Sequence, residues 1–427
     1  MKKMNYEMIQ ETVYSKILPN GLTVYLIPKR ERAKTYGLFT TNYGSMDQTF
    51  VPIGEEEPIT VPDGIAHFLE HKLFEKEDRD VFADFGRLGA SPNAYTSFTK
   101  TAYLFSATDN IEANVETLLD FVQDPYFSEA SVEKEKGIIT QEIKMYDDQP
   151  DWQSFIGTVQ GMFKNHPIKI DIAGTVESIQ TITKDDLYTC YHTFYHPTNM
   201  TLCVVGNFEA EEMMTFIEEN QMKKQFVQAN EIKRSFPEEP AEVAMKERKI
   251  VMPVSIAQCT VGVKEVTTKL PAEEFIKRDL LQEIILDYYF SKAGKFYEKL
   301  YDENLISSNF SFSTTVDRNF GYSLIGGQTT EPDRFADKMI ELLLSTNDDS
   351  LSEETFLRLK NKKLGRLLRA MNSLEYLANE TIHYHINGID FFQLSDIIQS
   401  LTLDEANDFL KDWITEDKLT VCKIVAK

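Results

Sequence analysis

The amino-acid sequence predicts an α+β protein made of two tandem homologous halves, each a mostly antiparallel sheet backed by helices. Three observations predict this class. Apolar residues recur at helical spacing in some segments and alternate as they do in strands in others. A charged, proline-bearing stretch over residues 223–249 interrupts both patterns. The segments on its two sides also resemble each other when the sequence is shifted against itself.

This internal repeat sets the predicted domain limits. Residues 201–205 (Thr-Leu-Cys-Val-Val) align with residues 420–424 (Thr-Val-Cys-Lys-Ile), an offset of 219 residues (420 − 201). A constant offset that holds at distant points of a chain indicates a duplicated structural unit. We therefore predict an N-terminal half, a connector and a homologous C-terminal half, over residues 1–222, 223–249 and 250–427.

Composition narrows the classes of function. The chain has 427 residues, of which 42% are hydrophobic, so it can bury a sizeable core. Its net charge of −23 argues against a nucleic-acid partner, which needs a positive surface. No apolar run is long enough for a membrane helix, and no apolar run follows the N-terminal lysines as in a signal peptide. The four scattered cysteines favour a reduced protein, so we expect a cytoplasmic location without a membrane partner.

Residues 62–74 contain the clearest chemical motif. Their apolar residues recur at helical spacing, and Asp63 stands where it could cap the helix N-terminus. His67 and His71 lie four residues apart, so both imidazoles project from one side of the helix and could hold one zinc ion. Glu70 lies beside them, where a general base for an attacking water belongs. The order H-x-x-E-H inverts the commoner H-E-x-x-H. A packed or solvated helix face is the simpler alternative.

A second helix is predicted over residues 131–146. It carries Glu135 and Glu142, which are seven residues apart and therefore on nearly the same face. Apolar neighbours indicate that this face is partly buried, and a buried carboxylate requires a partner such as a metal. Either glutamate could supply a third ligand. The alternative is a charged surface helix whose glutamates bind nothing.

The sequence His-Phe-Leu-Glu-His at 67–71, followed by Glu135 and Glu142, resembles the pitrilysin/insulinase family of zinc peptidases, which includes the mitochondrial processing peptidase. The resemblance covers nearly the whole chain and implies the half-clamshell fold of these metallopeptidases. It also implies one zinc ion per chain, with the metal ligands His67, His71 and Glu142. By the same resemblance Glu70 is the catalytic base, and Glu135 orients the site.

The stretch Asn-Ala-Tyr-Thr at 93–96 resembles the edge strand on which this family binds substrate. Such a strand binds a peptide backbone as one more strand of its sheet. The resemblance therefore implies that Asn93 and Ala94 contact a peptide substrate. Alternatively, Asn93 only stabilises a turn.

The second half lacks the ligands. At the offset of the repeat, Leu286, Tyr289 and Phe290 fall opposite His67, Glu70 and His71, and Asn361 falls opposite Glu142. Catalytic members of the family carry an arginine and a tyrosine in this half, where the present chain has Tyr301 and Ser308. Either another residue substitutes for this pair, or, as the resemblance implies, a homologous non-catalytic subunit or a second copy of the chain in a homodimer supplies it.

These observations lead to two functional expectations. The first is a zinc-dependent endopeptidase or oligopeptidase that cleaves unstructured peptides together with a homologous subunit. The second is a non-hydrolytic peptide-binding or scaffolding subunit with a structural zinc site, supporting a translation-factor modification pathway. The second follows from a resemblance to a Gram-positive bacterial member encoded beside a non-catalytic homologue, which implies a link to the 5-aminopentanol modification of elongation factor P.

Overall fold

The computed structural model describes residues 1–227, 231–265, 270–317 and 319–427, and of Asp412 it describes only the backbone. The strands are β1 (Lys2–Tyr6), β2 (Glu11–Ile17), β3 (Thr23–Pro28), β4 (Thr35–Thr41), β5 (Thr49–Phe50), β6 (Ile59–Thr60), β7 (Ser91–Thr96), β8 (Thr101–Ala107), β9 (Met200–Gly206), β10 (Glu247–Met252), β11 (Gln258–Glu265), β12 (Ser311–Val316), β13 (Gly321–Gln328) and β14 (Leu419–Ala426).

The α-helices lie between groups of these strands along the sequence. They are α1 (Ile65–Leu73), α2 (Val81–Arg87), α3 (Ile111–Val122), α4 (Glu129–Asp147), α5 (Pro150–Met162), α6 (Val176–Thr181), α7 (Lys184–Phe194), α8 (Ala210–Met222), α9 (Ala272–Phe290), α10 (Lys295–Asp302), α11 (Pro332–Leu344), α12 (Glu353–Ala370), α13 (Leu374–Ile386), α14 (Leu394–Ser400) and α15 (Leu403–Trp413). Among the described residues, no helix is both long and apolar enough to cross a bilayer.

The chain forms two compact units, and neither is continuous in sequence. The first unit comprises Met1–Ile143, Ile170–Phe236 and Ala370–Ile386. The second unit comprises Lys144–Lys169, Pro237–Arg369 and Asn387–Lys427. Helix α5 therefore belongs to the second unit and α13 to the first, so each unit includes one helix from the distant part of the chain.

The first unit is built on a seven-stranded sheet with the order β1-β2-β3-β9-β4-β8-β7. Neighbouring strands are antiparallel except for the parallel pair β3 and β9. The central strands β4 and β9 are buried along their whole length. Helix α1 packs against β7 and β8, and α13 packs against β4 and β9. Strand β7 forms one edge of the sheet.

The second unit repeats this plan on a five-stranded sheet with the order β10-β14-β11-β13-β12. Its pair β10 and β14 is parallel and the other pairs are antiparallel, as in the series β3-β9-β4-β8-β7 of the first unit. Helix α5 packs against β11 and β14. The predicted fold class, α+β with two similar halves of sheet and helices, is therefore confirmed.

A glycine determines where α1 begins. Gly64, the residue before the helix, has a φ of 84°, in the left-handed region that glycine adopts readily. A Cβ atom at this position would lie 2.3 Å from the carbonyl oxygen of Ala173. The predicted cap by Asp63 is wrong, because the Asp63 carboxylate instead accepts a hydrogen bond from the Gln48 amide at 2.7 Å. Burial of Leu69 and other apolar side chains then fixes α1 on the sheet.

Candidate metal centre

Helices α1 and α4 place the predicted ligand residues side by side in the first unit. The buried side chains of α4 include Val132, Ile139 and Ile143, and they bring one face of this helix into the core. Glu135 and Glu142 lie on or next to that face. The imidazoles of α1 project toward it, since α1 buries its remaining sides against the sheet.

The ligand atoms have the spacing that zinc requires. Nε2 of His67 lies 3.7 Å from one carboxylate oxygen of Glu142, and Nε2 of His71 lies 3.5 Å from the other. Ligands at about 2.0–2.1 Å from a tetrahedral zinc ion are separated by about 3.3–3.4 Å. One ligand atom from each of the three residues can be chosen so that all lie within 4.8 Å of one another. No other such group occurs in the part of the chain that the structure describes.

His67 is in the protonation state that a metal ligand needs. Burial lowers its pKa to about 3, and the charge of His71 acts in the same direction, so the ring is neutral at physiological pH. A neutral imidazole nitrogen is the form that binds a metal. Its Nδ1 is buried and has no hydrogen-bond partner among the described residues. The chemistry of this donor set therefore fits zinc.

Glu135 occupies a different place from Glu142. One of its carboxylate oxygens lies 3.0 Å from Nδ1 of His71, which leaves Nε2 of that ring for a metal. Burial lowers the pKa of His71, but the hydrogen bond with Glu135 and the charges of Glu70, Glu142 and Glu135 outweigh it and raise this pKa overall. A carboxylate in this position orients an imidazole and increases its basicity as a ligand.

A lysine that the sequence analysis did not select supports Glu135. Lys72 is completely buried, although it stands next to His71 in α1. Its ammonium lies 3.9 Å from Glu135, donates a hydrogen bond to the carbonyl of Ser131 at 3.5 Å and pairs with Glu75. The sequence did contain a signal for this contact, because Lys72 interrupts the apolar pattern of the helix. A buried ammonium needs anionic partners, so a lysine at such a position indicates nearby carboxylates.

Glu70 faces the edge strand. Its Oε2 accepts a hydrogen bond from the hydroxyl of Thr96, at the end of β7, with an oxygen–oxygen distance of 2.6 Å. Burial raises the pKa of Glu70, while this hydrogen bond and the charge of His71 act in the opposite direction. Thr96 was also missed by the sequence analysis, although it ends the quoted Asn-Ala-Tyr-Thr stretch.

The predicted substrate contacts lie on the edge of the sheet. Asn93 and Ala94 are within β7, so Asn93 belongs to a strand and not to a turn. The Asn93 side chain is exposed, and its oxygen accepts a hydrogen bond from the Ala94 amide at 2.9 Å. Ala94 is partly buried and packs against the core. The arrangement leaves one side of β7 without a neighbouring strand among the described residues.

The second unit has an ion-pair cluster between the helices that correspond to α1 and α4. Leu286, Tyr289 and Phe290 are buried in α9, while Asn361 is exposed on α12. Asp287 of α9 is nearly buried, and it lies 2.6 Å from Lys362 and 3.1 Å from Arg366 of α12. Charged side chains thus link these two helices directly.

Tyr301 and Ser308 stand at the two places where the family resemblance implies an arginine and a tyrosine. Tyr301 is exposed near the end of α10, and its ring stacks on that of Tyr297 at a centroid distance of 6.3 Å. Ser308 is exposed between α10 and β12. Neither side chain can donate the hydrogen bonds of a guanidinium.

Two family models match different parts of this chain. Residues 54–176 match the family described as Insulinase (Peptidase family M16), and residues 181–363 match the Peptidase M16 inactive domain. The first match includes the candidate metal centre, and the second begins in the first unit and covers most of the second unit.

Individual relatives extend the match to the full chain. The uncharacterized zinc protease YmfH of Bacillus subtilis is 49% identical over 427 residues, which is 100% of both proteins. A second Bacillus subtilis protein, the uncharacterized zinc protease YmxG, is 34% identical over 151 residues, 34% of this chain and 37% of YmxG.

Solved structures show the same fold. The crystal structure of an M16-like peptidase from Alicyclobacillus acidocaldarius superposes with a TM-score of 0.93 at 40% identity, covering 98% of this chain and 99% of that one. A Helicobacter pylori protease superposes with a TM-score of 0.83 at 16% identity, covering 96% of this chain and 99% of that chain, which shows the fold alone. Given its full-length relative and its matched domains, this chain belongs to peptidase family M16, the insulinase family.

Proposed function

We propose that this protein is a zinc-dependent endopeptidase or oligopeptidase of the inverted H-x-x-E-H type that cleaves unstructured peptides. One observation carries the proposal: the ligand atoms of His67, His71 and Glu142 converge at zinc spacing with Glu70 beside them. These three residues would hold one zinc ion. Three protein ligands leave a fourth position open, which is typical of catalytic zinc sites, whereas structural sites usually have four protein ligands.

The reaction would divide the work between the ion and Glu70. Bound zinc lowers the pKa of a water molecule and polarises a peptide carbonyl. Glu70 accepts the proton of the attacking water and then donates it to the leaving amine. General acid–base assistance of this kind contributes on the order of 10²–10⁴-fold to the rate. Glu135 holds the ring of His71 through Nδ1, and Lys72 holds Glu135.

The peptide substrate would bind along β7. An extended peptide can add to the open side of this edge strand, near Asn93 and Ala94, through backbone hydrogen bonds. Such binding depends mainly on backbone hydrogen bonds and less on the side chains of the peptide. Because the peptide backbone must be extended and unpaired, this mode selects unstructured segments. Ala94 is two residues from Thr96, which contacts Glu70, so this edge runs directly toward the proposed base.

A homologous subunit would complete the active site. The chain has Tyr301 and Ser308 where catalytic relatives have arginine and tyrosine. A non-catalytic homologue that supplies this pair is therefore the proposed partner, with a homodimer as the alternative. The two relatives in Bacillus subtilis support paired homologues within one organism. We expect the protein to act in the cytoplasm.

Peptide cleavage by the purified chain, with and without a homologous partner, tests the proposal. Zinc removal should abolish cleavage, and added zinc should restore it. Glu70→Gln should keep its zinc and lose cleavage, whereas Glu133→Gln, an exposed glutamate of α4 that pairs with Lys136, should retain both. Cleavage that survives in Glu70→Gln would exclude Glu70 as the base.

A second candidate is a non-hydrolytic peptide-binding or scaffolding subunit with a structural zinc site, in support of a translation-factor modification pathway. The absence of the arginine and tyrosine at positions 301 and 308 favours it. This candidate predicts that zinc removal unfolds the first unit and that peptides bind without being cut even when a partner is present. Glu70→Gln would then leave every measured property unchanged.

A further inference from the structure

Thr96 connects the proposed substrate strand to the proposed base. It is the last residue of β7 and pairs in register with Thr101 of the neighbouring β8. Side chains two residues apart in a strand lie on the same face, so Thr96 shares a face with Ala94, which packs against the core. Helix α1 packs on β7 and places Glu70 next to the Thr96 hydroxyl.

The hydrogen bond between these residues is short and directed. The oxygen–oxygen distance of 2.6 Å is in the range of a hydroxyl that donates to a carboxylate, about 2.5–2.7 Å. At 3.5 Å, the Thr101 hydroxyl lies on the donor side of a weak contact, with the Thr96 oxygen as acceptor. Thr101 donates its own hydrogen to the carbonyl of Tyr43 at 2.9 Å. The Thr96 hydrogen is therefore committed to Oε2 of Glu70.

We propose that Thr96 is a positioning residue that holds Glu70 by Oε2 and so assigns proton transfer to Oε1. The inference rests on the proposed hydrolysis. As the water oxygen bonds to the carbonyl carbon, its proton moves to Oε1. The same proton moves from Oε1 to the amine nitrogen as the carbon–nitrogen bond breaks, and the Thr96 proton stays on its own oxygen throughout.

In this arrangement, strand β7 positions both the proposed base and the peptide substrate. A peptide that adds to β7 is positioned by the backbone of that strand, and Glu70 is positioned by a side chain of the same strand. The hydrogen bond from Thr96 thus links the Oε1 position, which starts from α1, to the strand that positions the attacked carbonyl. Without the hydroxyl, the carboxylate would keep its place in α1 but lose the direction of its oxygens, which lowers the rate more than the affinity for peptide.

Two substitutions separate the hydroxyl from the shape of the side chain. Thr96→Val keeps the β-branched shape and removes the hydroxyl, whereas Thr96→Ser keeps the hydroxyl. Thr96→Val loses a hydrogen bond to a charged group, which should lower kcat about 10–100-fold. Its KM should stay within about twofold of the wild-type value, and its zinc affinity should not change. Thr96→Ser should restore most of kcat. Thr117→Val on α3, whose hydroxyl donates a hydrogen bond to the Ala113 carbonyl at 2.8 Å, is the matched control.

Crystal structures of the zinc-loaded wild type and both Thr96 variants provide a readout that does not depend on cleavage. The Glu70 carboxylate should remain within hydrogen-bond distance of the hydroxyl in the wild type and in Thr96→Ser, and should turn away in Thr96→Val. An unmoved carboxylate in Thr96→Val overturns the inference, as does equal loss of kcat in Thr96→Ser and Thr96→Val. If the wild type cuts no peptide with its partner, the proposed function fails, while the carboxylate position still decides the role of Thr96.

Discussion

The two glutamates of α4 should differ sharply in their effect on zinc binding. The perturbation is a single loss of charge at each position: Glu142→Gln at the proposed ligand, Glu135→Gln at the partner of His71, and Glu133→Gln as the control. All three substitutions are isosteric and lie within ten residues of one helix. Only Glu142 has oxygens 3.5–3.7 Å from both Nε2 atoms, whereas Glu135 contacts Nδ1 of His71.

The expected magnitudes follow from these positions. Loss of a carboxylate that orients a histidine ligand costs about 10–100-fold in metal affinity, and loss of a direct ligand costs more. At a zinc concentration of 100 times the wild-type Kd, zinc stabilises the wild type by about 2.7 kcal/mol. The same concentration stabilises Glu135→Gln by about 0.4–1.4 kcal/mol and Glu142→Gln by less than about 0.4 kcal/mol. Glu133→Gln should match the wild type.

Competition with a chromophoric zinc chelator measures the affinities, and denaturant unfolding at fixed zinc measures the stabilisation. The order of zinc affinity should be wild type equal to Glu133→Gln, then Glu135→Gln, then Glu142→Gln. The reverse order for Glu135 and Glu142 would make Glu135 the ligand. Equal affinity in all four proteins would refute a metal centre between α1 and α4.

Three further predictions concern α1 and its metal centre. Glu70→Gln should lower kcat for peptide cleavage by at least about 10²-fold while zinc content, measured by atomic emission, stays unchanged; a fully active variant contradicts the assignment. The pKa of His71 is raised, whereas that of His67 is about 3, so at about pH 6 His71 carries a proton and His67 does not. Zinc binding should therefore release protons at this pH, and zinc affinity should fall as the pH decreases. Calorimetry in two buffers of different ionisation enthalpy measures the release, and binding without any release would contradict the prediction. Leu69 is buried, so Leu69→Ala should lower the free energy of unfolding by about 2–5 kcal/mol. Ile138 is about half exposed, so Ile138→Ala should lower it by less than about 1 kcal/mol. Equal urea midpoints for the two variants would show that α1 is not packed as described.

The sequence was most informative where one helix determines the geometry. His67 and His71 project together because an α-helix repeats every 3.6 residues, so their pairing needs no knowledge of the rest of the fold. The same period could not separate Glu135 from Glu142, since seven residues bring both to one face. Where α4 crosses α1 decides which carboxylate meets Nε2, and that crossing depends on packing against the whole sheet.

Contacts between distant elements were not predictable from local pattern. Thr96 meets Glu70 only because α1 packs on β7, and nothing near residue 96 indicates a carboxylate partner. The local signal at Asp63 was misleading, because a left-handed Gly64 begins the helix and redirects the neighbouring side chain toward Gln48. No local pattern in residues 150–162 indicates that α5 packs in the second unit.

The late position of α13 has a consequence for synthesis on the ribosome. The last strand of the first sheet ends at Gly206, yet the helix that covers β4 and β9 begins only at Leu374, about 170 residues later. At about 5–20 residues per second, the ribosome needs roughly 10–30 s to produce that cover. During this interval the nascent chain lacks α13, which packs against β4 and β9 and buries Leu377, Ala378 and Ile382. Chaperones that bind exposed apolar surface should therefore associate with nascent chains that have passed Gly206 but have not yet reached Leu374.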